Sequence, residues 1–348
     1  MFRSKRVSIE PYNEMVSNSP KLTWLQFDKL KKVDQALLYL QCSPELVQDV
    51  LHSPEKYYEP IRIKRRRGSG KPRIVYKVHN DLRRLHRSIS LGLAPHIQNL
   101  PPTVQGFREQ YNIVTNASMH CGQAELVTAD IRDFFGSITT RKVQALFESL
   151  GTSFHVALML ARLCTLNDSL VQGGRASPAI ANLVAYSLDN TLLSTFPNVK
   201  YSRYVDDLAF SGDKCPSKTE IQASLKLHNF TLKEGSFKLT TSGNGQYVTG
   251  LNVDGQRPKV PRRERRLIDR ALHVGDRYSL EQHYINIYKR DPTPEDLDWY
   301  ANKHLLGKIT SYGRVDPELY NQWRSKLADI VAKESLLIVM KKIQTTSQ

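Results

Sequence analysis

A short stretch around two adjacent aspartates constrains the fold more than any other part of the chain. Residues 201–205 and 208–210 are apolar, β-prone runs, and Asp206 and Asp207 lie between them. Such a pattern predicts a tight β-hairpin with both carboxylates at its tip. Adjacent carboxylates repel each other, and a divalent cation relieves that repulsion because hard oxygen ligands suit Mg²⁺. An ordinary aspartate-containing turn has the same pattern, so the rest of the chain must decide between the two interpretations.

Length and composition indicate a folded globular protein with more than one subdomain. The chain has 348 residues, of which 40% are hydrophobic and 24% charged, which is enough to bury a large core. No apolar run approaches the length of a membrane span, and residues 1–10 lack the apolar region of a signal peptide. The four cysteines lie far apart without a CxxC pair. That spacing argues against a zinc site or a disulfide framework and predicts a cytoplasmic protein.

The charge of the chain predicts a polyanionic partner. Lys and Arg number 50 against 34 Asp and Glu, a formal net charge of +16. The basic residues concentrate in two segments, 62–73 and 259–270, and neither reads as an amphipathic helix with an aromatic or leucine face. We therefore expect nucleic acid as the partner, in preference to an anionic membrane.

A second hairpin, heavily basic, is predicted between residues 60 and 78. Its two short runs, 61–64 and 73–76, flank a turn that contains Gly68 and Gly70. Seven basic residues in twelve positions exceed the number that protection of an edge strand requires, although such protection is the alternative. A cationic hairpin suits a lid over a triphosphate. The candidate phosphate contacts are Lys64, Lys71 and Arg73.

Asp130 is the candidate for a third carboxylate. It follows a predicted buried strand at residues 126–129, and an aromatic pair, Phe134 and Phe135, comes soon after. A lone acidic residue at a strand end is usually a turn or cap residue. Together with the carboxylates of the first hairpin, it completes the set needed for a two-metal phosphoryl-transfer site, in which the cations lie about 3.5–4 Å apart.

Helices and a glycine-containing loop are predicted between these motifs. Residues 80–94 have helical spacing, and Pro95 is expected to end that helix. The loop 171–178 opens another helix, in which Asn182 faces the site. From residue 257 onward the chain is expected to be basic and helical. The expected core anchors of that region are Trp299 and Trp323.

Taken in order, these motifs resemble those of bacterial retron reverse transcriptases, over roughly residues 60–310. Chance agreement in order and spacing at so many places is remote. The matching segments are Gly-Lys-Pro-Arg-Ile at 70–74, Asn-Ala-Ser-Met-His at 116–120, Asp-Ile-Arg-Asp-Phe-Phe at 130–135, the Gln-Gly loop and helix at 172–183, Tyr-Ser-Arg-Tyr-Val-Asp-Asp-Leu at 201–208, and Val-Thr-Gly at 248–250.

The resemblance implies an α+β fold of the right-hand polymerase type. Its palm is an antiparallel sheet with helices, and its thumb is helical. The implied domains are an N-terminal helical extension at 1–55, fingers with the basic hairpin at 56–125, a palm with the catalytic site at 126–255, in which part of 141–182 packs with the fingers, and a basic helical thumb at 256–348.

The resemblance also implies a role for each matching residue. Asp130, Asp206 and Asp207 are implied to be catalytic and to hold two Mg²⁺ ions, or Mn²⁺, with the Ile131 carbonyl as a further ligand. A ring at Phe135 would exclude a 2′-hydroxyl, and core packing is the alternative role for this residue. The nucleotide contacts are implied for Phe135, Gln172 and Arg73, with Lys64 or Lys71 assisting. The residues implied to contact nucleic acid are Arg65, Arg66, Asn116, His120, Lys259, Arg262, Arg263 and Arg266. For His120 a structural role is the alternative.

Several positions depart from the family pattern. Val171 stands where proline is usual, and Val205 stands where retron enzymes more often have alanine. Gly174 and Arg175 replace a common Ala-Pro pair. The lysine expected beyond the catalytic hairpin, a candidate general acid, has no unique match, because the candidates at that place are Lys233, Ser236 and Lys238.

The implied activity is that of an RNA-directed DNA polymerase, a nucleotidyltransferase that uses dNTPs. A structured noncoding RNA would serve as template and primer, giving a branched RNA–DNA product in anti-phage defence with a separate effector protein. A different bacterial defence reverse transcriptase, or an enzyme like those of group II introns, is the alternative. A catalytically dead RNA-binding scaffold is less favoured, because all three carboxylates are present.

Overall fold

The computed structural model describes residues 27–63 and 73–346, with side chains at 27–63 and 74–334. The helices are α1 (Val33–Leu40), α2 (Pro44–His52), α3 (Asn80–Gln98), α4 (Ile113–Ser118), α5 (Thr140–Ser149), α6 (Phe154–Cys164), α7 (Ser177–Thr195), α8 (Lys218–Leu227), α9 (Arg262–Arg277), α10 (Leu280–Tyr288), α11 (Pro294–Asp298), α12 (Leu306–Ser311) and α13 (Pro317–Thr346). A π-helical turn, Trp299–Leu305, joins α11 to α12.

The strands are short and antiparallel where they pair as hairpins. They are β1 (Tyr58–Ile63), β2 (Arg73–Val78), β3 (Glu125–Asp130), β4 (Thr165–Leu166), β5 (Ser169–Leu170), β6 (Lys200–Tyr204), β7 (Asp207–Gly212), β8 (Lys238–Thr241), β9 (Tyr247–Val248) and β10 (Leu251–Asn252). This mixture of helices and antiparallel strands agrees with the predicted α+β class.

The chain forms two compact units. One comprises the described residues up to Asn112 together with Val127–Leu239, and the other comprises Ile113–Leu126 together with the described residues from Thr240. The division passes through β3 and β8. The four-part division into extension, fingers, palm and thumb stays a prediction, because the two units are defined only by the contacts within each of them.

A four-stranded sheet in the order β6-β7-β3-β8 carries the strand ends at which the three candidate carboxylates lie. The predicted hairpin of residues 201–210 is confirmed as β6 and β7, which pair in register from Lys200 with Ser211 to Tyr204 with Asp207. Side chains on both faces of these two strands are buried, as at Tyr201, Ser202 and Phe210. A sheet covered on both faces fixes its register firmly, because a shift by one residue would reverse every side chain.

Helix caps explain several boundaries around this sheet. Ser217 accepts from the Glu220 backbone, and the Glu220 side chain in turn accepts from the Ser217 backbone, so a capping box starts α8. Ser153 likewise caps α6 by accepting from the Val156 N–H. Both helices then bury apolar faces in the core of the first unit.

The expected end of helix 80–94 at Pro95 is wrong, since α3 continues through Pro95 to Gln98. A proline so near the end of a helix removes one hydrogen bond only, the one to the carbonyl of Leu91. Leu91 is 62% exposed, so water can reach that part of the helix. Burial of Leu85, Ile89 and Leu93 on the opposite face continues the helix.

The second unit is mostly helical and has its own core. Trp323 is buried there and its indole N–H donates to Asp269 Oδ1 at 2.7 Å. Trp299, by contrast, is 42% exposed, so its expected role as a core anchor is wrong. It begins the π-helical turn, and Tyr300 takes the buried position beside it. None of the helices described is both long and apolar enough to cross a membrane.

Candidate active site

The hairpin of β6 and β7 turns through two residues, Val205 and Asp206. Val205 has a φ of 64°, in the left-handed region that favours glycine and that β-branched residues seldom adopt. Two-residue hairpin loops commonly require a positive φ at this position. The valine is therefore strained, and surrounding contacts must hold the turn in place.

Arg203 provides one of those contacts from inside the protein. Its guanidinium donates to the Val205 carbonyl at 3.1 Å and to Asn182 Oδ1 at 3.0 Å. The same side chain pairs with Asp189, whose Oδ2 lies 2.7 Å from Nη2. The side chains of Arg203 and Asp189 are completely buried, so their charges compensate each other in the core. The predicted orientation of Asn182 toward the site agrees with its contact to Arg203.

The three predicted carboxylates come together at the ends of β3 and β7. The Ile131 N–H donates to the Asp206 carbonyl at 2.8 Å, which ties the residue after β3 to the hairpin turn. Asp207 and Asp130 share a side-chain hydrogen bond, and the charge of Asp206 acts on Asp207 as well. The strand ends thus place three acidic side chains from two segments of the chain in one cluster.

The pKa of Asp207 reflects this crowding. Partial loss of hydration raises that pKa, and the hydrogen bond to Asp130 and the charges of Asp206 and Asp130 raise it further, to about 7. Lys233 acts in the opposite direction. A bound cation would offset the part of this pKa shift that the neighbouring carboxylates cause.

Lys233 forms an ion pair with Asp130, and its backbone N–H donates to the Asp130 carbonyl at 2.9 Å. The Ser236 hydroxyl accepts from the Asp130 N–H at 3.0 Å. Lys238 lies further along, exposed in β8. Of the three residues considered at this place, Lys233 brings its ammonium to a predicted catalytic carboxylate, while Ser236 orients the backbone.

The donor chemistry of this cluster fits a hard divalent cation, because it consists of carboxylate oxygens that repel one another. Within residues 27–63 and 73–346, however, no group of three or more histidine, cysteine or carboxylate side chains is arranged to hold a metal ion. One oxygen of Asp130 is instead paired with the Lys233 ammonium. The carboxylate oxygens thus suit a hard divalent cation by their chemistry, although their side chains do not converge on one position.

Phe135 and Gln172 are the predicted nucleotide contacts that the structure describes. Phe135 is 8% exposed, with Phe134 edge-on at 5.7 Å between ring centroids. The Gln172 carbonyl accepts from the Tyr76 N–H of β2 at 2.8 Å. Gly173 follows with a φ of 110° and packs so closely that a Cβ would meet the Tyr76 carbonyl oxygen. The Gln-Gly loop is therefore held against the basic hairpin by its backbone.

The basic hairpin is confirmed as β1 and β2, which pair from Tyr58 with Val78 to Ile63 with Arg73. The backbone of Arg73 begins β2, and nothing is described of its side chain. The other predicted phosphate and nucleic-acid contacts of the tip lie outside the described residues. They are Lys64, Arg65, Arg66 and Lys71.

The remaining predicted nucleic-acid contacts lie in the second unit and differ in exposure. Asn116 and His120 are buried, and their contact with nucleic acid stays a prediction. The structural alternative considered for His120 fits better. Four basic residues at and before the start of α9 are exposed: Lys259, Arg262, Arg263 and Arg266.

Comparison with known proteins supports the resemblance. Residues 63–242 match the family described as reverse transcriptase (RNA-dependent DNA polymerase). The Retron Ec86 reverse transcriptase of Escherichia coli is 26% identical, with 66% of this chain and 74% of that protein covered. The Retron Mx65 enzyme of Myxococcus xanthus is 29% identical, with 59% and 53% covered. The Retron Ec48 enzyme of Escherichia coli is 26% identical, with 95% and 80% covered.

The matched region is slightly more than half of the chain, and it contains both strand ends that carry the acidic cluster. The chain therefore belongs to the reverse transcriptase family of RNA-directed DNA polymerases, and its relatives within that family are bacterial retron enzymes.

Proposed function

We propose that this polymerase copies a structured noncoding RNA into DNA by two-metal phosphoryl transfer and makes a branched RNA–DNA product of the retron kind. The observation that carries the proposal is the cluster of Asp130, Asp206 and Asp207, in which two carboxylates share a hydrogen bond and the third adds its charge. Mutual repulsion of this strength is typical of sites that bind divalent cations.

The three aspartates would hold the metal, together with the Ile131 carbonyl. Two bound Mg²⁺ ions, or Mn²⁺, supply activation of the primer hydroxyl and stabilisation of the leaving pyrophosphate. The protein's own contribution is orientation. The backbone bond between Ile131 and Asp206 holds the strand ends together, and the bond from Arg203 to the Val205 carbonyl holds the turn.

The incoming dNTP would bind between the acidic cluster and the basic hairpin of the same unit. Phe135 would lie under its sugar and exclude a 2′-hydroxyl by steric clash. Gln172 would contact the sugar or the triphosphate, because its loop is bonded to β2. The triphosphate charge would be met by Arg73, with Lys64 or Lys71 assisting.

The exposed basic residues near the start of α9 would follow the backbone of the template and primer. Phosphate contacts of this kind release counterions, so binding should weaken steeply as salt rises. The candidates described in the structure are Lys259, Arg262, Arg263 and Arg266. We further propose a cytoplasmic role in anti-phage defence, with the RNA as template and primer and a separate effector protein, by analogy with the retron enzymes that the chain resembles.

The test is to purify the wild-type chain and Asp206→Ala/Asp207→Ala with the nucleic acid that each carries. Separate digestion with RNase and DNase identifies the strands, and a debranching assay detects a 2′–5′ linkage. The proposal predicts DNA joined to RNA by such a linkage in the wild type and RNA alone in the variant. Unbranched DNA would point to another bacterial reverse transcriptase. RNA alone in both preparations, without dNTP incorporation, would leave only an RNA-binding scaffold.

A further inference from the structure

A short loop after α3 is fixed by a single arginine. The guanidinium of Arg108 donates to the carbonyls of Pro101 at 2.7 Å, Val104 at 2.8 Å and Leu100 at 2.8 Å. It also stacks over the Tyr111 ring at 4.4 Å. Such a network removes most of the conformational freedom of the loop, so residues within it are presented in one orientation.

The same loop is bonded to the catalytic hairpin. Arg203 N–H donates to the Thr103 carbonyl at 2.8 Å, and the Arg203 carbonyl accepts from Gln105 N–H at 2.9 Å. The Gly106 carbonyl accepts from Asn182 Nδ2 at 2.7 Å. A Cβ on Gly106 would lie 2.6 Å from the Val205 nitrogen, so the loop and the strained turn are in direct backbone contact.

Phe107 follows Gly106 and combines two unfavourable features. Its φ is 58°, which is strained for a bulky residue. Its ring is nevertheless not buried, since the residue is 53% exposed. Neither backbone preference nor core packing explains a large apolar side chain held rigidly in this way, and strained residues of this kind cluster at ligand sites.

The ring of Phe107 lies against Phe135. The two centroids are 6.4 Å apart with an interplanar angle of 71°, an edge-to-face contact. Phe134 makes a second edge-to-face contact with Phe135, at 5.7 Å and 74°. Phe135 is therefore held between the buried ring of Phe134 and the exposed ring of Phe107.

We propose that Phe107 is a specificity-determining residue for the incoming nucleotide. Its edge-to-face contact fixes the orientation of the Phe135 ring, and its exposed surface extends the wall against which the deoxyribose packs. This inference rests on the proposed role of Phe135 in excluding a 2′-hydroxyl. It adds that the exclusion depends on a residue in a separate loop, which the Arg108 network holds in position.

The experiment compares dNTP with rNTP incorporation on a defined RNA template, using the full chain. Phe107→Ala should lower the ratio of kcat/KM for dNTP to that for rNTP by about three- to tenfold, the value of one edge-to-face contact. Phe107→Tyr, which keeps the ring, should retain the wild-type ratio. Phe154→Ala, which removes another exposed phenylalanine, is the matched control.

Phe135→Ala separates this inference from the function on which it rests. If Phe135→Ala relaxes the selection and Phe107→Ala leaves it unchanged, the inference about Phe107 is wrong and the proposed role of Phe135 stands. If neither variant relaxes it, both are wrong. If Phe107→Ala fails to fold, Phe107→Leu replaces it. Loss of selection in Phe107→Leu but not in Phe107→Tyr supports the proposal, and equal ratios in the two variants overturn it.

Discussion

Arg203 and Asp189 form an ion pair in which neither side chain has any exposed surface, with Nη2 and Oδ2 2.7 Å apart. Tyr201 donates to the other carboxylate oxygen at 2.7 Å. The guanidinium continues to the Val205 carbonyl at 3.1 Å. The same guanidinium that pairs with Asp189 in the core therefore also bonds to the turn beside the acidic cluster. A change at this ion pair is expected to affect both the stability of the unit and the geometry of the site.

Removing one member of this pair should destabilise the protein strongly. In Arg203→Met the Asp189 carboxylate stays buried without its counterion, which typically costs about 3–5 kcal/mol. In Arg203→Met/Asp189→Leu both charges are absent, so we expect most of the stability to return. Urea unfolding followed by circular dichroism measures both. Equal destabilisation of the single and double variants would contradict this account.

The double variant should also separate stability from activity. It folds, but the Val205 carbonyl has lost its donor, so the strained turn is held less firmly. We expect its kcat for dNTP incorporation to fall about tenfold or more. A double variant that is both stable and fully active would show that Arg203 does not position the turn.

Gly106→Ala should impair catalysis through the backbone of the hairpin. The added Cβ would lie 2.6 Å from the Val205 nitrogen, and a displacement of the turn by about 1 Å can cost about 100-fold in rate. Gly307→Ala in α12 is the matched control, because no atom lies within 4 Å of that position. It should be active and as stable as the wild type or slightly more so. Steady-state kinetics and thermal melting of both variants test the prediction, which wild-type kcat in Gly106→Ala would refute.

Lys233, not Lys238, should matter for turnover. Its ammonium is paired with Asp130, whereas Lys238 lies five residues further along the chain, in β8. If Lys233 donates a proton to the departing pyrophosphate, Lys233→Gln should lower kcat by about 100-fold, and Lys238→Gln should change it by less than about twofold. Lys233→Arg keeps the charge but holds its proton too tightly to donate it. Full activity in Lys233→Arg would assign the lysine an electrostatic role only.

His86 should make the stability of the first unit depend on pH. Burial lowers its pKa to about 4, and the bond of Nε2 to the Leu163 carbonyl at 2.8 Å offsets this in part. The folded pKa is thus below the unfolded value of about 6.5, so the neutral ring stabilises the fold above that pH. This stability should be lost as the pH falls from about 6.5 to about 4, by about 3 kcal/mol in total.

His86→Gln provides the control for that loss, because an amide can also donate to the Leu163 carbonyl but does not titrate. Urea unfolding at pH 7.5 and at pH 4.5 should show the wild type losing more stability than His86→Gln on acidification. An identical loss in both proteins would exclude His86 as the cause.

The hairpin of β6 and β7 could be predicted from the sequence, because two β-prone runs flank an adjacent pair of aspartates within ten residues. The strand ending at Asp130 was predictable for the same reason. The predictions about Pro95 and Trp299 were wrong because their outcome depends on packing. Exposure of Leu91 and burial of the opposite face decide the end of α3, and Tyr300 takes the core position next to Trp299.

The supports of the site were not predictable in this way. Arg203 lies in a strand and Asp189 in a helix, and nothing in the sequence around either residue shows that the two meet in the core. A charged residue inside an otherwise buried strand was the available signal, because a buried charge requires a partner. Phe107 gave no signal at all, because its strain and exposure appear only in three dimensions.

The most direct test of the account is primer extension on a defined RNA template by the wild type and by three variants: Asp130→Asn, Asp206→Asn and Asp207→Asn. Asp213→Asn, which alters an exposed aspartate just beyond β7, is the control. The account predicts Mg²⁺-dependent DNA synthesis by the wild type and the control, its loss on addition of EDTA, and less than about 1% of wild-type activity in each of the three variants, with RNA binding retained. Undiminished synthesis by any of the three variants, or synthesis that persists without divalent metal, would contradict it.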